Sequence, residues 1–471
     1  MSARAWPLPL SPVRTGAPAR SVSRAGLLCT AIVAVLWAVG SWDFEMAVTA
    51  LSGLGLLLLV LSLRYPDLGL IGIGVFCTMD ALSRYFLLAG GLLRYNSFNY
   101  ILVLVMLLSW KRFLRWRDLP VRLLAALLVL LGVELLYSAG PAFGIQHIAN
   151  AVGFFGLLVF MERASRSDQP WISMALVSAT TAGLGGLVFF LQGEELQDRI
   201  NPNAWAYFPL AALLAICLAI GRRGASRNVR LVLLVLAAVN AGWVFLSGSR
   251  GTSLVAIVAV LYSLSRSRRF LTAAALTLVM LGLGVLAVGF FGDRAERSLQ
   301  RVGKFFDPAY SLSSKTSGRW DLARAGMHLF VEHPLTGIGT GSFASEWMRL
   351  SDLGGMSQYG LGREVQAHSG WIKVAAENGA PGLLLLIAFV GSFTLIGWRY
   401  RARGALPIGL LASLTLSVGF LSTEFQPKAL WFLTAAATLI LRRTAARRRP
   451  AAPVRPAHAG RVVARPQASH V

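Results

Sequence analysis

"GAPGLLLLIAFVGSFTLIGWR", residues 379–399, decides the fold. No charged side chain interrupts the run from Pro381 to Trp398, and Arg399 closes it. A helix rises 1.5 Å per residue, so about 20 such residues cross a hydrocarbon layer about 30 Å thick. Working outward, apolar windows recur near 25–41, 46–63, 68–90, 98–110, 120–138, 142–161, 170–191, 203–220, 230–247, 251–265, 270–292, 405–422 and 428–441. The sequence therefore predicts an all-α polytopic membrane protein with about 12–14 transmembrane helices. Composition agrees: 55% of the 471 residues are hydrophobic and 14% charged, and the mean hydropathy is +0.62.

The formal net charge is +24, from 45 Lys+Arg against 21 Asp+Glu. In a soluble chain that excess would suggest nucleic acid. Here the basic residues fill short connections between apolar runs, where they orient the protein, and no nucleic-acid partner is expected. Lys111 to Arg117, Arg163 with Arg166, Arg222 to Arg227, Arg266 to Arg269, Arg399 to Arg403 and Arg442 to Arg449 mark alternate connections. The positive-inside rule puts these, and both termini, in the cytoplasm. The remaining connections, "WDFE" (42–45), "QGEELQDRINPN" (192–203), "SGSRG" (247–251), "STEFQPK" (422–428) and a long segment, 293–380, then lie outside.

This gives a basic, disordered N-terminus (1–24), a helical membrane domain (25–292), one large extracytoplasmic helical loop (293–380), C-terminal membrane helices (381–441) and a basic, disordered cytoplasmic tail (442–471). The arginines before residue 25 and the small residues Ala38-Val39-Gly40 also fit a signal peptide. An uncleaved first span is the preferred reading, and the topology of the rest is the same either way. Cys29, Cys77 and Cys217 each sit in an apolar run without CxxC spacing, so neither a disulfide framework nor a structural zinc site is expected.

The loop carries the chemistry. "GRWDLARAGMHLFVEHP" (318–334) repeats apolar residues at near-helical spacing and Pro334 stops it, which predicts a helix on the membrane surface. "LTGIGTGSFASEW" (335–347) offers glycines for a tight turn. Its spacing fails both the P-loop and the dinucleotide fingerprints, which excludes nucleotide binding by either motif. "GREVQAHSGWIKVAAENGAPG" (362–382) predicts a second helix ending at Gly379. Within it His368 is a candidate general base, because imidazole removes a proton from a hydroxyl near neutral pH. Arg250, set between glycines, and Arg319 and Arg324 on the first loop helix present planar forks suited to phosphate oxygens. Arg363 is a further candidate for that clamp, and Arg199, at the outer start of a span, is a candidate for substrate binding. Asn201 and Asn203 either bind sugar hydroxyls or cap a helix. Glu377 orients the loop helix or pairs with an arginine, and is counted among the substrate-binding candidates. Asp80 and Arg84 have the spacing of an intramembrane ion pair, and Glu134 is placed to line a cavity. Neither HExxH, an outer acidic pair nor paired cysteines occur, so no cofactor or metal is expected.

The order of these motifs resembles the O-antigen ligase and polymerase superfamily of bacterial envelope glycan enzymes. Arg319, Pro334, Gly337, Gly339, His368, Glu377 and Gly379 match its outer-loop pattern, "SGSRG" resembles its arginine loop and "NPNAWA" its asparagine-bearing helix start. Ser369 departs from the asparagine that follows the histidine in many members. The resemblance implies a GT-C-like architecture in the bacterial inner membrane. It also implies a metal-independent, inverting glycosyltransferase of lipopolysaccharide or exopolysaccharide biosynthesis with a periplasmic active site. His368 would be the base, and Arg250 and Arg319 would bind diphosphate, with Arg199, Asn203, Arg324, Arg363 and Glu377 around the substrates. The donor would be a glycan on polyprenyl (undecaprenyl) diphosphate. The acceptor would be lipid A-core or another glycan, and ligase against polymerase stays open. A transporter or flippase of the same lipid-linked glycan is the alternative from another class, and a non-catalytic scaffold is a third.

Overall fold

The computed structural model describes residues 22–83 and 118–266 with short gaps at 63, 165–166, 193–199, 201, 221, 223 and 248, then 307–352 apart from 317, 365–422 and 428–446. The expected spans near 98–110 and 270–292, the Asp80–Arg84 pair, and the terminal tails before 22 and after 446 lie outside the described residues or side chains; residues 442–446, expected in the disordered tail, are helical, held by the ion pairs of Arg442. Among the described residues there is no strand.

The helices are α1 (Arg24–Gly40), α2 (Phe44–Leu61), α3 (Pro66–Ser83), α4 (Leu119–Glu134), α5 (Pro141–Ala164), α6 (Gln169–Leu191), α7 (Pro202–Ile220), α8 (Arg227–Leu246) and α9 (Arg250–Arg266). The loop contributes α10 (Leu312–Lys315), α11 (Arg319–Glu332) and α12 (Phe343–Asp352), and the chain returns through α13 (Gly370–Arg399), α14 (Leu406–Ser422) and α15 (Lys428–Ala446). Among the described residues six of these are long and apolar enough to cross a membrane, and five shorter apolar helices accompany them. The protein is an all-α polytopic membrane protein.

Short polar residues start the helices where the apolar runs begin. Ser23 Oγ accepts from Gly26 N at 2.9 Å and Asp43 Oδ1 from Met46 N at 2.9 Å, each satisfying an amide that the first turn leaves without a partner. Lipid gives helices little hydrophobic reason to associate, so close backbone approach matters. A Cβ on Gly72 would meet Leu58 and the Gly55 carbonyl of α2, and one on Gly397 of α13 would meet Gly409 of α14. Phe154 of α5, Phe389 of α13, Phe420 of α14 and Trp431 of α15 then interlock edge to face or tilted.

One end of the bundle is rich in arginine. Arg442 of α15 pairs with Asp118, at the start of α4, and with Glu162, at the end of α5. Arg222, after α7, pairs with Asp168 at 3.4 Å, and Arg403 donates to the Ala445 carbonyl at 2.5 Å. These contacts gather the α13–α14 connection and the C-terminus of α15 at the same end. By alternation, the far end holds the last turn of α4, the first turns of α5 and α13, and the last turn of α14.

The helix from Arg319 stops at Glu332, two residues before Pro334, as the proline requires. The second loop helix ends at Gly379 as expected: that residue leaves helical geometry (φ 60°, ψ −160°), and a further helix starts directly beyond it and runs to Arg399, the two halves together making α13. α12 was not foreseen: Phe343, Trp347 and Leu350 have helical spacing, but the preceding glycines read as a turn. Phe343 and Trp347 join Leu322, Ala325 and Leu329 of α11 and Ala367 and Ala376 in a small separate core.

Candidate active site

The far end is organised around the break in α13. Residues 370–378 form a half-helix whose last carbonyls would face the apolar interior unpaired. The glycine turn satisfies them: Ile338 N donates to Ala376 O at 3.1 Å and Gly339 N to Glu377 O at 2.9 Å. Ala380 N, beginning the second half, donates to Pro334 O at 2.7 Å. Gly337, Gly339 and Gly341 all have positive φ. The need is also steric, since a Cβ at Gly337 would strike the Glu377 carbonyl. "GIGTGS" is thus a backbone splice between loop and bundle.

A polar cluster surrounds the splice. Lys373 is only 1% exposed, and its Nζ reaches Gln366 Oε1 at 2.6 Å, His147 Nε2 of α5 at 2.5 Å and Glu377 Oε1 at 3.6 Å. With the ammonium as donor, the His147 ring accepts at Nε2 and carries its proton on Nδ1. Glu377 Oε1 also accepts from Phe343 N at 3.0 Å, at the start of α12. Asn378 bonds Glu134 and donates to Thr340 Oγ1 at 2.8 Å, and Thr340 donates to Glu134 at 3.2 Å. Glu134 therefore faces this buried network and bonds no arginine in it. Ser342 Oγ accepts from Ala139 N at 2.9 Å and Tyr137 donates to Thr336 O at 2.7 Å, which ties the α4–α5 turn to the same glycine segment.

His368 projects from this frame. It is exposed, and its φ of 51° is the one positive value at a non-glycine among the described residues. Such a conformation costs roughly 1–3 kcal/mol and persists where the surroundings fix it. Ala367 is buried in the small loop core, Gln366 is held by Lys373, and Ser369 Oγ donates to Phe420 O of α14 at 3.1 Å while capping Ile372 N. Ser369 is thus the N-cap of α13 and links it to α14, a role its hydroxyl fills in place of the more usual asparagine.

Arg319 opens α11 beyond Gly318, whose φ is 76°, and is half-buried; Arg324 on the same helix is exposed. α11 packs on the first half of α13, where a Cβ at Gly326 would strike Ile372, four residues past His368. Arg250 is the first residue of α9, which packs on α14, the helix that Ser369 grips. The side chains of Arg250 and Asn203, and Arg199, Asn201 and Arg363 as a whole, lie outside what is described. Glu377 is 2% exposed and bonded to Lys373 and Phe343, so the structure gives it a positioning contact. Sequence reasoning missed Lys373, His147 and Gln366 as a group. The Lys373/Glu377 spacing of four was the one local signal. Among the described residues no three metal-ligating side chains gather.

Residues 231–387 match the family model described as O-antigen ligase. Over that stretch the chain is similar to O-antigen ligases. The match runs from α8 through α9 and the loop to just beyond the break in α13. Glu134 and His147 lie outside the match and reach it from α4 and α5. No curated protein matches the chain.

Proposed function

We propose that this O-antigen ligase-like protein is a metal-independent, inverting glycosyltransferase that moves a glycan from polyprenyl diphosphate to an acceptor hydroxyl at the end of the bundle opposite the arginine-rich one. By the positive-inside reading that end is periplasmic. The observation that carries the proposal is His368, exposed inside the family-matched segment and held in a left-handed conformation by bonds on both sides.

In this reaction His368 accepts the proton of the acceptor hydroxyl as its oxygen bonds to the anomeric carbon. The bond from that carbon to the diphosphate oxygen breaks, and the leaving group departs with the electron pair, inverting the centre. A diphosphate needs its growing charge stabilised more than it needs a proton, which is work for Arg250 and Arg319. Arg199, Asn203, Arg324 and Arg363 serve the sugar and the remaining phosphate charge, and Glu377 holds the frame through Lys373.

The test is transfer by the purified protein from a polyprenyl-diphosphate oligosaccharide, with lipid A-core and a second repeat unit offered separately and neither nucleotide nor metal added. New glycosidic product, reduced on the order of 100-fold or more by His368→Ala, is the expected result. The acceptor used distinguishes ligase from polymerase. Undiminished transfer by His368→Ala overturns the assignment of the base.

A further inference from the structure

At the arginine-rich end, where α4, α13 and α15 meet, lies a cavity of about 260 Å³. Asp118, Arg122, Arg399 and Arg442 supply its charges, and Leu395 and Leu441 are part of its apolar wall. Arg442 is already committed to Asp118 and Glu162. Among the described residues neither Arg122 nor Arg399 has a carboxylate partner. With Arg442 engaged by carboxylates, the surplus positive charge of the cavity is carried by Arg122 and Arg399, the two arginines that reach the surface.

The surfaces beside the cavity face lipid. On α4 the exposed positions are Arg122, Ala126, Val129 and Val133, spaced four, three and four apart, which is a single helix face. On α13 Leu384, Ile387, Gly391, Leu395 and Trp398 form a second exposed stripe, and Arg399 follows it. Both stripes run down to the cavity. Trp398 is 56% exposed with the Arg401 guanidinium 4.7 Å over its ring, and Arg399 lies 5.9 Å over Tyr400. Aromatic rings stacked with arginine at a helix end mark headgroup depth.

We propose that this cavity binds the phosphodiester headgroup of an anionic phospholipid, with Arg122 and Arg399 gripping the phosphate and the acyl chains lying along α4 and α13. Two arginines without a carboxylate partner suit a phosphodiester anion, and a basic pocket between spans at headgroup level is where such a lipid is held. The apolar stripes make a lipid, with its chains attached, the occupant in preference to a free anion. This site stands at the opposite end from His368 and does not depend on the transfer reaction.

The test uses the full chain, delipidated in neutral detergent and examined by native mass spectrometry with palmitoyl-oleoyl phosphatidylglycerol or phosphatidylcholine added. One phosphatidylglycerol should be retained under activation that strips phosphatidylcholine. Arg122→Gln with Arg399→Gln should weaken that binding about thirtyfold, and Arg122→Gln alone about fivefold. Arg401→Gln, at the same end but outside the cavity, should leave it unchanged. Size-exclusion chromatography reports folding, and Arg122 is exposed, so its single variant keeps the test open if the double variant aggregates. Equal retention of the two lipids, or undiminished phosphatidylglycerol binding by a folded Arg122→Gln variant, overturns the proposal. So does displacement by inorganic phosphate at equal concentration, which would show a free-anion site.

Discussion

Lys373 Nζ stands 2.6 Å from Gln366 Oε1, so a charge inside the first turn of α13 holds the residue that leads into His368. The same ammonium reaches His147 on α5, which makes the His368 segment a dependent of a helix far away in the chain.

Removing Lys373 should therefore be costly. Lys373→Met leaves Glu377 buried without its cation, and breaking one side of a buried pair costs about 3–5 kcal/mol. The double variant Lys373→Met/Glu377→Gln should recover part of that loss. Thermal unfolding in detergent measures both, and a single variant as stable as the parent would show that the ion pair is not needed.

The strain at His368 predicts an order of stability. Glycine adopts positive φ without penalty, whereas alanine keeps it, so His368→Gly should be about 1 kcal/mol more stable than His368→Ala. Both should lose transfer. Equal melting temperatures would indicate that the backbone relaxes once the imidazole is gone.

Gly337→Ala and Gly391→Ala should have opposite effects although both add one methyl group. At Gly337 the Cβ drives into the Glu377 carbonyl with φ at 63°, and folding should fail or weaken severely. At Gly391, within α13, nothing lies within 4 Å of the added carbon, and better helix propensity should stabilise by up to about 1 kcal/mol. Expression and melting of the two variants decide the comparison.

Arg250→Lys keeps the charge but loses the fork. If Arg250 grips diphosphate with two donors, transfer should fall at least tenfold, about the worth of one charge-assisted hydrogen bond. Full activity in that variant would remove bidentate recognition from the mechanism.

The bundle was legible because each apolar run must be a helix in lipid, where unpaired backbone groups are prohibitively costly. Hence windows near 25–41 and 170–191 fall within a residue or so of α1 and α6. The motifs at Arg250, Arg319 and His368 were legible because polar residues at a membrane surface are conspicuous. The frame beneath them was not. Lys373 and His147 are 226 positions apart, and nothing local in "GIQHIAN" shows that α13 delivers an ammonium to it. The ending at Gly379 was legible in Gly followed by Pro381, and so was the span beyond it; the rescue of that span's first amide, donated by Ala380 to Pro334, was not.

That rescue ties the fate of two regions together. Amide hydrogens of Ile338, Gly339 and Ala380 bridge the loop and the bundle, so deuterium can replace them only when both let go at once. The glycine turn is accordingly a seam, intact or torn, that couples the opening of the loop to the opening of the bundle.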